Sequence, residues 1–166
     1  MKKAIYPGSF NPFHIGHMDI LQQALNMFDS VVVAIGNNTA KQPMHADSNN
    51  ASLHRRLVTI RDRLKGMKSV EVIRYDGLLR DCLYDYNASW ERLQPDLMIT
   101  HIIRGLRSGH DLEAEIALRK TMSDIAPSFD FVYFVPSNPN LYHISSTMIR
   151  ELNYFDPKAS EKYIVV

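Results

Sequence analysis

The sequence predicts an α/β fold: a single doubly wound domain spanning residues 1–166, with a five-stranded parallel sheet and helices on both faces. Short apolar segments alternate with longer segments of helical periodicity along the chain, which is typical of a parallel sheet covered on both sides. The length of 166 residues fits one domain that buries its own core. The single cysteine, Cys82, excludes an intrachain disulfide and a multi-cysteine zinc site.

The strands are predicted where short apolar runs, often β-branched, end at turn-forming residues. The first run stops at Pro7 and Gly8, and the second stops at Gly36. Pro95 precedes the fourth. The five predicted strands are residues 4–6, 31–35, 70–75, 97–103 and 131–135.

The helices are predicted where apolar residues recur every three or four positions. In the fourth helix, acidic residues come early and Arg119 and Lys120 come late, which suits the helix dipole. Residues 37–50 are rich in Asn, Ala and Ser and contain Pro43, so we predict a loop there. The five predicted helices are residues 14–28, 51–65, 78–93, 111–125 and 145–154.

The charge balance argues against one broad class of function. Lys and Arg together number 19 and Asp and Glu 18, so the formal net charge is +1. A general nucleic-acid binder usually carries a basic excess, so we predict no nucleic-acid partner, while a local basic site for a small anion remains open. The apolar runs are too short for a membrane span or a signal peptide, so we predict no membrane partner. Together with the single cysteine, these features predict a cytoplasmic protein.

The first candidate site segment follows the first strand and opens the first helix. In parallel α/β sheets, ligands bind at the carboxyl ends of the strands, and a helix N-terminus attracts anions through its N–H groups and dipole. Ser9, Phe10, His14 and His17 stand in this segment, with Gly16 between the histidines. The pattern is consistent with phosphate binding. The alternative is a tight turn with two surface histidines.

Two further candidate segments follow later strands. After the fourth strand, Arg104 and Arg107 flank Gly105, and their guanidinium groups suit phosphates, although two solvated arginines are the alternative. After the fifth strand, hydroxyl and N–H groups at a helix start suit phosphate as well, and ordinary N-capping is the alternative. The residues of that last segment are Tyr142, Ser145, Ser146, Thr147 and Arg150.

These segments resemble a known family. Residues 14–17, His-Ile-Gly-His, resemble the HxGH signature of the nucleotidylyltransferase superfamily. Residues 104–115 are similar to the signature of bacterial phosphopantetheine adenylyltransferases, RGxR followed by a short spacer and D-[FL]-E-x-E. Residues 144–150 resemble the ISSxxhR motif of the superfamily, and Lys41 stands in a K-x-P segment like the one that holds the substrate phosphate in this family. The likeness covers roughly residues 2–154.

The resemblance implies a Rossmann-like enzyme that transfers the adenylyl group of ATP to 4′-phosphopantetheine, giving dephospho-CoA and pyrophosphate in coenzyme A biosynthesis. It also implies Mg²⁺ with ATP and a homo-oligomer, a hexamer. The catalytic residues would be His17, Lys41 and Arg104. The ATP-binding residues would be Ser9, Phe10, His14, His17, Gly105, Arg107, Glu115, Tyr142, Ser145, Ser146 and Thr147. The pantetheine phosphate arm would be bound by Ser9, Lys41, Leu79 and Arg104.

Departures from the family pattern leave the acceptor substrate open. The family commonly has an aromatic residue at the position of Ala114, and often has Thr or an unrelated residue at the position of His14. Residues 45–54 replace a shorter helix start, and residues 87–98, which include Trp90, look longer than the family norm. The alternatives are an adenylyltransferase acting on nicotinamide or nicotinate mononucleotide, and a non-catalytic nucleotide-binding module.

Overall fold

The computed structural model describes residues 1–36 and 46–165. Its strands are β1 (Lys3–Gly8), β2 (Ser30–Gly36), β3 (Val70–Tyr75), β4 (Ile99–Gly105) and β5 (Asp130–Phe134). They form one parallel sheet in the order β3-β2-β1-β4-β5, which confirms the predicted fold class. β1 runs through Pro7 and Gly8, which were predicted to end it, because both keep the parallel register with β2. Proline fits there because the pairing of β1 with β4 has already ended at Ile5.

The helices are α1 (Ile15–Leu25), α2 (Ala46–Leu64), α3 (Leu79–Ala88), α4 (Gly109–Ile125), α5 (Ser146–Phe155) and α6 (Pro157–Glu161). The predicted loop was wrong for residues 46–50, which are the first five residues of α2. These residues contain no Gly or Pro to stop a helix, and because four of the five are polar they lack the apolar periodicity that predicted the rest. The short α6 was not predicted, although Asp156 caps it and Pro157 opens it.

Two predicted helices end early. α1 ends at Leu25, before the turn that leads into β2, and α3 ends at Ala88 although we predicted helix to residue 93. The side chain of the buried Asn87 explains the second difference. Its amide donates to the Ile99 carbonyl at 2.8 Å and its oxygen accepts from the Ile99 N–H at 2.7 Å. Asn87 thus ties the end of α3 to the start of β4.

The core lies on both faces of the sheet because successive side chains of a strand point to opposite faces. On one face, residues such as Tyr6 and Val33 pack with α1 and α2. On the other, residues such as Ile5 and Val32 pack with Leu83 of α3 and Met122 of α4. This arrangement is the predicted one, with helices on both faces.

The strand order creates a crevice at the centre of the sheet. The chain proceeds from β1 outward through β2 to β3, then crosses back to β4 on the other side of β1. The loops that follow β1 and β4 therefore lead to opposite faces, and ligands bind in the crevice between such loops. Within residues 1–36 and 46–165, no helix is long and apolar enough to cross a membrane.

Candidate active site

A cavity of about 420 Å³ opens at the carboxyl ends of β1 and β4. Its walls come from the loop after β1, the loop after β4, the starts of α1, α4 and α5, and one residue of α2. The predicted site residues that line it are Ser9, Phe10, His14, His17, Arg104, Gly105, Arg107, Glu115, Ser145, Ser146 and Thr147. The three sequence segments therefore meet at one place, because neighbouring parallel strands end at the same edge of the sheet.

The loop after β1 is built around the buried ring of Phe10. Phe10 has a φ of 45°, in the left-handed region that non-glycine residues rarely adopt. Its ring meets the ring of His17 edge-on, with centroids 4.9 Å apart, and that of Tyr6 at 5.2 Å. A Cβ at Gly8 would lie 2.8 Å from the Phe10 ring. Gly8 is therefore needed to make room for Phe10 beneath the loop.

His14 and His17 stack at the start of α1, with ring centroids 3.6 Å apart. The N–H of each residue donates to Nδ1 of the other at 3.3 Å, so the two histidines cap the helix reciprocally. Because Nδ1 accepts in both rings, the proton of each neutral ring is on Nε2. A Cβ at Gly16 would lie 3.2 Å from the His14 ring, so the small residue between them leaves space for the stack.

Both histidines are held neutral. Burial, with Arg107 nearby, lowers the pKa of His14 from 6.5 to about 4. Burial lowers the pKa of His17 well below its ordinary value, and the neighbouring His14 and Arg107 lower it further. At neutral pH, each ring therefore offers one N–H donor and no positive charge.

Arg104 and Glu115 form a two-point ion pair on the cavity wall. The Arg104 Nε donates to one Glu115 oxygen at 2.7 Å, and Nη2 donates to the other. Nη1 donates to the Pro7 carbonyl at 3.2 Å, which ties β4 to β1. Burial acts to lower the pKa of Arg104, but the hydrogen bond and charge of Glu115 raise it above the ordinary value. The guanidinium therefore stays charged while its plane is fixed.

Arg107 lies further out and joins two elements of the site. It pairs with Asp111 one turn along, at 3.1 Å from Nε to Oδ2, and its Nη1 donates to the Ile144 carbonyl at 3.3 Å. Its side chain is 38% exposed, which is more open than that of Arg104 at 24%. An anion can therefore reach Arg107 from solvent, in competition with Asp111.

The start of α5 is held against the loop after β1. The Ser145 hydroxyl caps α5 by accepting from the Met148 N–H at 3.0 Å, which is the N-capping predicted as the alternative. The Ser146 hydroxyl donates to the Pro12 carbonyl at 3.0 Å. Arg150 donates to the Thr147 hydroxyl at 3.0 Å and to the Asn11 carbonyl. Hydroxyls and a guanidinium therefore surround this helix N-terminus.

Two predicted site residues that the structure describes do not line the cavity, and a third lies outside the described residues. Leu79 opens α3 and packs against the core on the opposite face of the sheet. Tyr142 is 45% exposed and does not line the cavity. Lys41 falls in residues 37–45, outside the described residues. In the part of the chain that the structure describes, no three His, Cys, Asp or Glu side chains gather as a metal site.

Arg56 is a cavity residue that the sequence reasoning missed. It comes from α2 and lines the cavity beside the loop after β1. Its position carried a signal: Arg56 lies three residues after Leu53 and four before Ile60, on the helix face we predicted to be apolar. A basic residue on such a face either reaches solvent along its aliphatic stem or makes a buried polar contact.

Comparisons with known proteins show the family to which the chain belongs. The chain matches the cytidylyltransferase-like family over residues 5–152. It is 33% identical to the phosphopantetheine adenylyltransferase of Prochlorococcus marinus, over 92% of this chain and 85% of that protein. It is 36% identical to the enzymes of the same name from Christiangramia forsetii, over 92% and 88%, and Mycoplasma capricolum, over 93% and 99%.

One solved structure supports the fold. A bifunctional NMN adenylyltransferase/ADP ribose pyrophosphatase from Francisella tularensis matches with a TM-score of 0.66 at 15% identity, over 99% of this chain and 45% of that one. At that identity the match speaks to fold alone. The family match covers most of the chain, and the relatives cover nearly all of it at 33% to 36% identity. The chain belongs to the cytidylyltransferase-like family and, within it, to the phosphopantetheine adenylyltransferases.

Proposed function

We propose that this protein transfers the adenylyl group of ATP to 4′-phosphopantetheine, giving dephospho-CoA and pyrophosphate. The observation that carries the proposal is the meeting of two neutral histidines and two arginines in one cavity at the centre of the sheet. Such donors suit phosphate groups. Membership of the phosphopantetheine adenylyltransferases supports the same acceptor.

The reaction needs little acid–base catalysis from the protein. An oxygen of the acceptor phosphate attacks the α-phosphorus of ATP, a new P–O bond forms, and the bond to the β-phosphate oxygen breaks as pyrophosphate leaves. The attacking phosphate is already an anion, so no general base is needed. The protein therefore acts by holding the two phosphates in line and by stabilising the charge that develops on the α-phosphate.

His17 would donate to the α-phosphate oxygens through Nε2. A neutral ring suits this role, since a preorganised N–H donor stabilises developing negative charge without any proton transfer. The Phe10 and His14 rings pack against His17 and fix its orientation. His14 caps the helix and packs on His17, and Ser9 and Gly105, which line the cavity beside them, would contact ATP.

Arg104 would hold the attacking phosphate together with Lys41, and Arg107 with the start of α5 would hold the β- and γ-phosphates. The position of Glu115 modifies its predicted role: we infer that it acts on substrate chiefly by holding the Arg104 guanidinium. Mg²⁺ would arrive as part of the substrate, bound to the ATP phosphates. The family resemblance also implies a hexamer, which sedimentation velocity would report.

Pyrophosphate release measured side by side with different acceptors tests the proposal. Wild-type protein with ATP and Mg²⁺ is given phosphopantetheine, nicotinamide mononucleotide, nicotinate mononucleotide or no acceptor. We expect rapid release of pyrophosphate with phosphopantetheine and under none of the other three conditions. Release with a mononucleotide instead would favour the alternative acceptor, and ATP binding without turnover of any acceptor would favour a non-catalytic nucleotide-binding module.

A further inference from the structure

Arg56 occupies an unusual place in α2. The helix buries Leu53, Leu57 and Ile60 in the core that it shares with α1 on one face of the sheet. Arg56 lies on the same face of the helix, with 8% of its surface exposed. Its neighbour Arg55 is exposed. Burial lowers the pKa of Arg56 below its ordinary value. Arginine is rarely buried unless its guanidinium makes specific hydrogen bonds, so the contacts of Arg56 show what holds it there.

The guanidinium reaches across the fold to the loop after β1. Its Nη1 donates to the main-chain carbonyl of Ser9, and its Nε donates to the Ser52 carbonyl of its own helix at 3.4 Å. A hydrogen bond from a charged donor to a carbonyl is stronger than one between neutral groups. Arg56 thereby links α2 to the turn at Ser9, and both residues line the cavity.

The turn that Arg56 holds needs an anchor. Phe10, the next residue, has a φ of 45°. Non-glycine residues keep such a conformation only where their surroundings fix it, and they concentrate at functional sites. The Phe10 ring in turn meets the His17 ring at 4.9 Å. A chain of contacts therefore leads from Arg56 through Ser9 and Phe10 to the histidine at the reaction centre.

We propose that Arg56 is a positioning residue, which holds the Ser9–Phe10 turn in the conformation that shapes the ATP side of the cavity and orients His17. The proposal rests on the proposed function, since it assigns a role in that reaction. Arg56 acts through the turn and needs no contact with substrate. Its loss should therefore reduce kcat, through His17, more than it raises the KM for the acceptor.

The test compares two identical substitutions at adjacent positions of α2. Arg56→Gln removes the anchor, and Arg55→Gln removes an exposed arginine from the same helix turn. We expect Arg56→Gln to lower kcat about tenfold to a hundredfold, the range that the loss of one charge-assisted hydrogen bond produces. Arg55→Gln should stay within about twofold of wild type. Arg56→Lys, which keeps the charge, should recover part of the loss.

A second readout does not depend on turnover. The ring resonances of His17 in nuclear magnetic resonance spectra should shift in Arg56→Gln and stay in place in Arg55→Gln, and calorimetry should show weaker ATP binding in the first variant only. If the wild-type protein turns over no phosphopantetheine, the proposed function fails, while these two measurements still decide the role of Arg56.

The proposal is overturned if folded Arg56→Gln has wild-type kcat and an unshifted His17 ring. It is also overturned if the lost activity returns fully at a lower assay temperature, because Arg56 would then contribute stability alone. Circular dichroism establishes that each variant is folded. Should Arg56→Gln fail to fold, the same kinetic and spectroscopic comparison of Arg56→Lys with Arg55→Lys decides.

Discussion

Replacing Glu115 by Gln removes the negative charge that faces the Arg104 guanidinium on the cavity wall. The two side chains are only 11% and 24% exposed, and Arg104 Nε lies 2.7 Å from a Glu115 oxygen. Glutamine keeps the shape of the side chain and one oxygen acceptor. It leaves the guanidinium without a counter-charge and with one hydrogen bond fewer to this side chain.

The size of the effect follows from the burial of this pair. Removing one partner of a buried ion pair costs about 3–5 kcal/mol. We take the lower end, about 3 kcal/mol, because the glutamine oxygen retains one hydrogen bond. In a protein of this length each kcal/mol moves the melting temperature by about 2–4 °C, so we expect Tm to fall by roughly 6–12 °C.

The kinetic consequence separates two roles for Glu115. If it holds Arg104 for the acceptor phosphate, the KM for phosphopantetheine should rise about tenfold, equivalent to about 1.4 kcal/mol, while the KM for ATP changes little. Steady-state kinetics and thermal melting of Glu115→Gln measure both effects. Glu113→Gln, an exposed position of α4, is the matched control. A raised KM for ATP with an unchanged acceptor KM, or an unchanged Tm, would refute this reasoning.

Three further predictions concern the histidines and the buried amide of Asn87. His17→Ala should lower kcat by about 10²–10³-fold while calorimetry shows nearly unchanged ATP affinity, and a wild-type rate would remove His17 from the mechanism. Asn87→Ala leaves the buried N–H and carbonyl of Ile99 without their side-chain partners. Urea unfolding should therefore show a free energy of unfolding lower by about 3 kcal/mol, and an unchanged urea midpoint would contradict the assigned contacts. The pKa of His14 is lowered to about 4 in the folded protein, so between pH 6.5 and 4 the unfolded chain binds more protons than the folded one. The free energy of unfolding therefore falls as the pH drops through that window. The loss should reach about 3 kcal/mol below pH 4, and stability curves of His14→Asn, which can still cap α1, should be flatter by that amount.

The fold class was predictable because its signal is local. β-branched runs such as residues 31–35 and the helical periodicity between them identify strands and helices without reference to distant residues. The order of the strands was not predictable in this way, since β1 pairs with β4 nearly a hundred residues later in the chain. The start of α2 was missed because residues 46–50 carry no apolar pattern and follow a stretch that contains Pro43.

The part of the site that is formed by segments directly after strands was predictable. Segments that follow β1, β4 and β5 had to meet, since the carboxyl ends of parallel strands share one edge. The pairing of Arg104 with Glu115 was not predictable, because it depends on how α4 packs beside β4. Arg56 was overlooked although its place on an apolar helix face was visible, since a single charged residue on such a face is usually solvated by a long side chain.

Mass-spectrometric identification of the products formed from ATP, Mg²⁺ and phosphopantetheine tests the central claim most directly. The wild-type protein should form dephospho-CoA and pyrophosphate in equal amounts, because attack occurs at the α-phosphorus, and His17→Ala should form far less of both. Formation of ADP or AMP with the phosphopantetheine unchanged, or no product at all, would contradict the account.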